Sequence, residues 1–427
     1  MNTRDLRRVA IVGGARIPFS RAHGRYADCT NQQMLTAALK AVVERYGLEG
    51  LRLGDVGAGA VLKYSADWNL TREAVLGCGL ARETPAFDLQ RACGTSLETT
   101  IQIGNKIALG QIDCGIAGGV DTISDAPVVY PREYQRILVE SSRGRSPGAR
   151  LKPWLRLRPR HFKPVLPAVV EPRTGLNMGQ STELMAKEWQ IGREDQDKLA
   201  LESHRKAAAA WDEGFYADLV VEFNGAQQDD NIRRDTTLEK LAKLGPAYDR
   251  SPAGTLTAGN STPLTDGAAA VLLASEDWAR ARNLPVQACL RFGKVAAVDY
   301  IDGEGLLMAP AYAVSRMLED ANLGLGDFDL YEIHEAFAAQ VLATLAAWES
   351  PEFCRERLGR SAPLGAIDRA RLNVKGGSIA IGHPFAATGA RVVATLAKLL
   401  AQKGSGRGLI SVCTAGGMGV TAILERP

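Results

Sequence analysis

The chain carries one plan twice over its 427 residues, and this duplication limits the possible folds more than any other feature. In the first copy, Arg8 to Gly14 predicts a buried strand and turn. Asn31 to Tyr46 then has helical apolar spacing, stops at Gly47-Leu48, and leads through Asp55 into a short strand predicted from Val56 to Leu62. The last third echoes it with a helix over Pro310 to Asn322, then Leu323-Gly324, Asp327-Phe328-Asp329 and a strand over Leu330 to Ile333. A second echo is stronger. A helix from Arg72 to about Leu80 leads to the strand Pro85 to Leu89, which delivers Cys93; a helix-compatible run (Leu97 to Leu109) and the small-residue strand Cys114 to Asp121 follow. Its counterpart is Gly376 to Pro384, which opens a helix from about Ala387 to Gln402, followed by a strand from Leu409 to Val412 and then Ala415-Gly416-Gly417. Strands alternating with helices specify an α/β fold with a buried sheet. Two like halves packed about a pseudo-twofold axis bring Cys93 and His383, at equivalent helix starts, to one site.

Cys93 sits in Leu89-Gln90-Arg91-Ala92-Cys93-Gly94-Thr95-Ser96, at the strand-to-helix turn. The positive end of a helix lowers a thiol pKa, so a reactive, partly ionised Cys93 is expected there. Alone, such a cysteine reads as a small buried hydrophobe. Its company argues otherwise. His334 falls where Ile333-His334-Glu335-Ala336-Phe337-Ala338 passes from strand to helix, and Cys413 ends a strand in Ser411-Val412-Cys413-Thr414-Ala415-Gly416-Gly417-Met418-Gly419. Taken singly these are a capping histidine and a packed strand cysteine. Together, Cys93, His334, His383 and Cys413 all lie at the carboxyl ends of predicted strands, where open α/β sheets carry their ligands. A nucleophilic thiol, a second thiol to shuttle a proton and two imidazoles to donate to a developing enolate are the parts needed for thioester carbon–carbon cleavage.

Composition excludes several other classes. A net charge of +3 is too balanced for nucleic-acid binding. The seven cysteines are scattered and never in C-x-x-C spacing, so neither disulfides nor a metal site is expected, and a reducing, cytoplasmic location fits. The start of the chain carries an acid at Asp5 and does not read as a signal peptide. No apolar run approaches the ~20 residues that span a bilayer. G-x-G-x-x-G is missing after the first strand, so no dinucleotide is expected.

The middle, about Pro127 to Pro252, breaks the rhythm. Basic residues greatly outnumber acids from Arg132 to Lys163, and Leu151-Lys152-Pro153-Trp154-Leu155-Arg156-Leu157-Arg158-Pro159 alternates apolar and basic side chains. A solvated loop, a clamp for a phosphate-bearing ligand and an amphipathic docking surface all fit this pattern. Beyond it, Met185 to Trp189 and Glu194 to Ala217 predict amphipathic helices. His23, His161 and His204 are expected at the surface.

The chain resembles the thiolase family throughout. The likeness rests on A-C-G-T-S at Cys93, G-N-S-T-P-L-T-D-G-A-A from Gly259 to Ala269, H-E-A-F-A at His334, G-G-S-I-A-I-G-H-P at His383 and C-T-A-G-G-M-G at Cys413. It implies α/β, thiolase-like duplicated halves in a five-layered αβαβα arrangement: residues 1–126 with 253–284, and 285–427, with 127–252 as an inserted loop domain covering coenzyme A. It further implies thiolytic cleavage of 3-ketoacyl-CoA in fatty-acid β-oxidation, with coenzyme A as substrate and no permanently bound cofactor. Cys93 is then the acyl acceptor, His383 its activator and Cys413 the acid/base. Backbone N–H groups of Cys93 and Ala415 form the oxyanion site, while Met178, Thr262 and Phe337 touch the substrate. His334 stands where many thiolases have asparagine. With Pro-Phe-Ala-Ala-Thr-Gly after His383 and Ala415 in place of glycine, this is similar to thiolase subunits of trifunctional complexes. A homodimer or tetramer, a hydratase/dehydrogenase partner and peripheral membrane contact through residues 132–163 follow as expectations. The alternatives are a decarboxylating ketoacyl synthase, which lacks the second cysteine, and a non-catalytic acyl-CoA-binding or scaffold subunit.

Overall fold

The computed structural model describes residues 6–165 and 170–427; Met1 to Asp5, read above for a targeting signal, lie outside the described residues. The first half runs β1 (Val9–Arg16), β2 (Ser20–Arg21), α1 (Asn31–Arg45), β3 (Asp55–Ala58), α2 (Leu70–Gly77), β4 (Ala86–Asp88), α3 (Thr95–Ala108) and β5 (Cys114–Asp121). An excursion carries α4 (Arg132–Arg143), α5 (Pro147–Leu151), α6 (Met178–Glu188), α7 (Arg193–Asp212) and α8 (Leu238–Ala242). The chain then returns through β6 (Thr265–Ser275) and α9 (Glu276–Ala281). The second half runs β7 (Ala288–Ala297), α10 (Ala309–Ala321), β8 (Leu330–Ile333), α11 (Ala338–Glu349), α12 (Pro351–Glu356), α13 (Ser378–Ile381), α14 (Thr388–Lys403), β9 (Gly406–Thr414) and β10 (Met418–Arg426).

Strand order makes the duplication explicit. The path β4-β3-β5-β6-β1 continues as β7-β10-β9-β8, so reading outward from the β1/β7 seam gives the same sequence of roles in both directions. β3 pairs in parallel with β4 and β5, as β8 does with β9, and an isolated parallel bridge from Tyr331 to Leu372 stands where a fifth strand of the second half belongs. The seam itself is short and antiparallel: Val9, Ala10 and Ile11 face Leu290, Cys289 and Ala288.

Alternation along the buried strands sets the layers. In β6, Ala269, Val271 and Leu273 join the core formed by α3, α14 and the strands of both halves, whereas Ala268, Ala270, Leu272 and Ala274 join a separate core with α1 and α2. A third core gathers α10, α11 and α6 against Leu409, Cys413 and Ile423. The order is therefore outer helices, sheet, α3 with α14, sheet, outer helices, the expected five layers. With both faces of each sheet covered, strands such as Thr265-Asp266-Gly267-Ala268-Ala269-Ala270-Val271-Leu272-Leu273-Ala274-Ser275 read as near-continuous small and apolar runs. Each fully buried Val, Leu or Ile there contributes roughly 1.5–3 kcal/mol.

Local chemistry fixes the ends of the elements. Thr30 caps α1: its Oγ1 accepts from Gln33 N at 3.2 Å, while Thr30 N donates to Gln33 Oε1 at 2.9 Å, a reciprocal capping box. Gly47 takes φ 61° just beyond that helix, as its position in the sequence implies. Boundaries shift where side chains compete with periodicity. The strand expected to Leu62 stops at Ala58, because the N–H groups of Val61 and Leu62 turn to the Asp121 carboxylate at 2.9 and 2.8 Å. Two surface expectations are overturned. His161 and His204 are buried at 4% exposure, and each accepts a backbone N–H at Nδ1, His161 from Arg158 and His204 from Arg233. Burial holds the His204 imidazole down at about 4. His23 does lie exposed, with φ 61° in its loop.

The two central helices meet at their N-termini. A Cβ on Gly389 would lie 2.3 Å from Leu97 N, and Ala390 N donates to Ser96 Oγ at 2.8 Å, so α14 presses on the backbone of α3. Gly389→Ala should destabilise the fold by about 1–3 kcal/mol through overpacking. In an exposed helix the same change stabilises by up to about 1 kcal/mol, so the sign of the shift in urea midpoint is diagnostic. Because the obstacle is backbone, pairing it with Leu97→Ala should give no relief.

Candidate active site

Four side chains expected to meet do so, each delivered by a different element. Cys93 follows β4 in a turn strained at Ala92 (φ 43°) and braced by Thr95, whose Oγ1 accepts from Arg91 N at 2.9 Å and donates to Ala92 O at 2.7 Å. His334 extends β8 by one residue, with its N–H donating to Ser411 O at 2.8 Å. Cys413 is in β9 opposite Gly419 of β10. His383 lies in the loop before α14, after Gly382, whose φ of 107° excludes a side chain. Its N–H donates to Thr265 Oγ1 at 3.1 Å. The helix following His383 starts five residues on, at Thr388, whereas α3 starts two residues after Cys93; a turn of 3₁₀ helix (Phe385–Ala387) fills the difference, and the short helix α13 precedes His383.

The Cys93 sulfur and one ring nitrogen each of His334 and His383 lie within 4.8 Å of one another, and the two imidazole centroids are 4.1 Å apart. Cys93, His383, Cys413, Ala415, Met178, Thr262 and Phe337 all line one cavity of about 590 Å³. That volume falls within the usual ~300–1,000 Å³ of small-molecule sites. His334 stands behind the lining, buried at 1% exposure. Thr262 serves first as a brace: its hydroxyl donates to Ser378 O at 2.9 Å and its N–H to Ala336 O at 3.1 Å.

Other residues position the site without having drawn attention in the sequence. Glu335 accepts from Ser203 Oγ (2.7 Å), Asn373 Nδ2 (2.6 Å) and Ile379 N (3.2 Å), tying the β8 end to the turn before His383. Asp121 accepts from Val61, Leu62 and, at 2.7 Å, Ala386 N, joining two cavity walls. Glu171, from the excursion, accepts from Gly416 N at 2.6 Å and from Tyr300 at 3.1 Å, so the cavity cover is bonded to the glycine-rich turn. Asp121 and Glu335 each lie within a stretch singled out for a neighbour, as the last residue of a small-residue strand and the glutamate beside His334. Glu171 lies in a segment with no motif.

Burial dominates the electrostatics and reverses one expectation. The Cys93 thiol is pushed up to about 12 rather than lowered, because desolvation outweighs the backbone N–H groups of Ala415 and of Cys93 itself that bond the sulfur. Cys413 is raised well above the ordinary thiol value by burial and by its proximity to Cys93. His383 is held down at about 3 by burial and the Arg391 guanidinium; His334 is lowered by burial, His383 and Arg391. Both shifts favour the neutral thiol and the neutral imidazole over the physiological range. Ultraviolet thiolate absorbance of wild type and Cys93→Ala should therefore coincide through neutrality, with Cys93 thiolate gained only as pH rises toward about 12. A wild-type excess near neutral pH that disappears in the variant would mean a standing ion pair instead.

Residues 9–277 match the family model described as Thiolase, N-terminal domain, and residues 285–426 match Thiolase, C-terminal domain. A 3-ketoacyl-CoA thiolase of Yersinia pestis (strain Pestoides F) is 42% identical over 429 residues, covering 99% of this chain and 98% of the relative. Among solved structures, the Bacillus anthracis acetyl-CoA acetyltransferase superposes with TM-score 0.83 at 29% identity, over 99% of this chain and 100% of that one. Human mitochondrial 3-ketoacyl-CoA thiolase in complex with CoA gives TM-score 0.82 at 29% identity, over 99% of both chains.

Proposed function

The chain belongs to the thiolase family, and from that premise we propose that it is an acetyl-CoA C-acyltransferase cleaving 3-ketoacyl-CoA thiolytically through a Cys93 acyl-enzyme. The observation that carries this reading is the convergence of the Cys93 sulfur with ring nitrogens of His334 and His383 within 4.8 Å at the cavity. The nearby second thiol, Cys413, favours thiolysis over decarboxylative condensation, which has no use for it. The domain reading is part of the proposal: residues 1–126 with 253–284 and residues 285–427 are the two halves, and 127–252 is the loop domain that covers coenzyme A. Val170, Glu171 and Met178 on the cavity lining support that cover.

The reaction runs in two half-reactions. Cys93 transfers its proton to His383 as sulfur attacks the 3-keto carbon, and the N–H groups of Cys93 and Ala415 hold the oxyanion. Cleavage of the C2–C3 bond releases the acetyl-CoA enolate, which His383 and a water held by His334 stabilise while the Cys413 thiol protonates C2. Coenzyme A then gives its thiol proton to Cys413 and attacks the acyl thioester. Collapse of the second oxyanion frees the Cys93 sulfur, which recovers its proton from His383. The apolar wall of Met178, Phe337, Leu307 and Tyr248 suits an acyl chain and the pantetheine arm, and Thr262 adds a polar contact.

The two cysteines should separate by experiment. Cys93→Ser should abolish thiolysis while coenzyme A still binds, and labelled acyl groups should map to Cys93 in the parent. Cys413→Ala should still become acylated from a reactive thioester yet turn over at least ~100-fold more slowly. Acyl label on another residue, or parent-like turnover in Cys413→Ala, contradicts the assignment.

Partners follow from the excursion. No helix of the described residues is long and apolar enough to cross a membrane. Within α4 only Ile137 is buried, and Leu138, Val139, Leu151, Leu155 and Phe162 are exposed among arginines and lysines. None of residues 132–163 lines the cavity, which favours an outward role over a ligand clamp. This face docks a hydratase/dehydrogenase partner or an anionic membrane surface, on a homodimer or tetramer. Reversal of Arg145, Arg158 and Arg160 to glutamate should weaken co-sedimentation with anionic vesicles or capture of the partner. That association should also fall as salt screens charges beyond ~8 Å, with the Michaelis constant for coenzyme A unchanged. A raised constant with unaltered association returns these arginines to ligand binding.

A further inference from the structure

The two imidazoles at the site stand in different hydroxyl environments, and proton counting separates them. Each ring turns its Nδ1 to a buried hydroxyl: His334 to Ser378 Oγ at 2.8 Å, His383 to Thr388 Oγ1 at 2.6 Å. Each leaves Nε2 buried and, among the described residues, without a protein partner, and the neighbouring ring lies 4.1 Å away centroid to centroid. Ser378 is fully buried and already accepts a bond from Arg391 Nη2 at 2.8 Å. A guanidinium only donates, so the serine must use a lone pair there and still place its own proton. The remaining partner within reach of that hydroxyl is His334 Nδ1. If Nδ1 carried hydrogen, the serine would accept twice and leave a buried O–H unsatisfied, at a cost of about 1–3 kcal/mol. His334 therefore accepts at Nδ1 and carries its hydrogen on Nε2.

Thr388 works in the opposite sense. Its hydroxyl reaches Pro384 O at 3.3 Å, one turn back in the chain, besides the His383 ring. Both bonds are made at once only when the threonine donates to that carbonyl and accepts from His383 Nδ1–H, which leaves a free lone pair on Nε2. We propose that Ser378 and Thr388 are positioning residues that hold His334 and His383 in opposite neutral tautomers, with Arg391 fixing the direction of the serine bond. His383 then presents a base to Cys93, and His334 presents an N–H donor to an oxyanion or to the water that meets it. A neutral imidazole donor of this kind stabilises an enolate without giving up its proton.

The chemical roles rest on the acyltransferase reading, but the tautomers do not, so the two are tested separately. Nitrogen NMR of wild-type protein labelled at histidine distinguishes a hydrogen-bearing from a bare ring nitrogen, with His334→Asn and His383→Asn assigning the signals. The expected result is hydrogen on Nε2 in His334 and on Nδ1 in His383. The same tautomer in both rings overturns the proposal, whatever the enzyme turns over. Ser378→Ala should release His334 into mixed tautomers while the His383 signals stay put. It should also slow exchange of the acetyl-CoA α-protons by about 10–100-fold with little change in Cys93 alkylation, in keeping with loss of part of an oxyanion donor. Thr388→Val should do the reverse, slowing alkylation, and Thr388→Ser should restore it. A Ser378→Ala protein whose His334 spectrum matches the parent rejects the serine's role. Correct tautomers in a protein without thiolysis would instead reject the acyltransferase reading alone.

Discussion

Everything at the site depends on how closely two helix N-termini approach. Gly389 lets α14 lie against the backbone of α3 at Leu97, and Ser96 takes the otherwise unmade N–H of Ala390. Cys93 hangs from the start of one helix and His383 from the approach to the other. Their separation is thus set by backbone packing in the central layer rather than by the two side chains. A residue with any side chain at position 389 forces the layer apart, and the effect passes straight to sulfur and imidazole. The sheets on either side hold that layer in place, and their small-residue strands exist to let it sit close.

The second constraint is burial. Burial lifts both thiols and depresses both imidazoles, which disfavours an ion pair between Cys93 and His383. Arg391 is buried beside Ser378, and Glu332 is held up at about 8 by desolvation. A neutral resting site does not bind counterions or compete with itself, and charge appears only when substrate brings an atom to carry it. In the proposed reaction the backbone N–H groups that bond the Cys93 sulfur face an oxyanion, the species for which such donors are worth most in a low dielectric.

Much of this was legible in the sequence, for identifiable reasons. The duplication was visible because both copies need the same glycine-rich strand ends and the same apolar helix spacing, and Cys93, His334 and Cys413 converge from strand ends as expected, whereas His383 reaches the site from a loop after the short helix α13 and not from a strand end. The lowered thiol pKa was wrong. A helix start argues for ionisation, but the sequence does not reveal how deeply the turn is covered, and desolvation outweighed the local dipoles. His161 and His204 were misplaced for a related reason: an isolated polar residue in a polar stretch shows nothing of the backbone N–H that waits to bond it. Glu171 gave no signal because its partners lie far along the chain, and Ser378 and Thr388, though inside quoted motifs, could not be given a role because their bonds depend on how each imidazole is turned.

The short β1/β7 seam joins the two parts of the site. Both halves begin with an equivalent strand, and at this seam those strands meet edge to edge, joining copies that share an architecture but not a chemistry. One copy contributes the sulfur at its helix entrance; the other contributes both imidazoles and the second thiol. Neither copy by itself contains a working set. The seam is therefore as much a part of the site as the side chains are, because it joins the half that carries the sulfur to the half that carries the imidazoles and the second thiol.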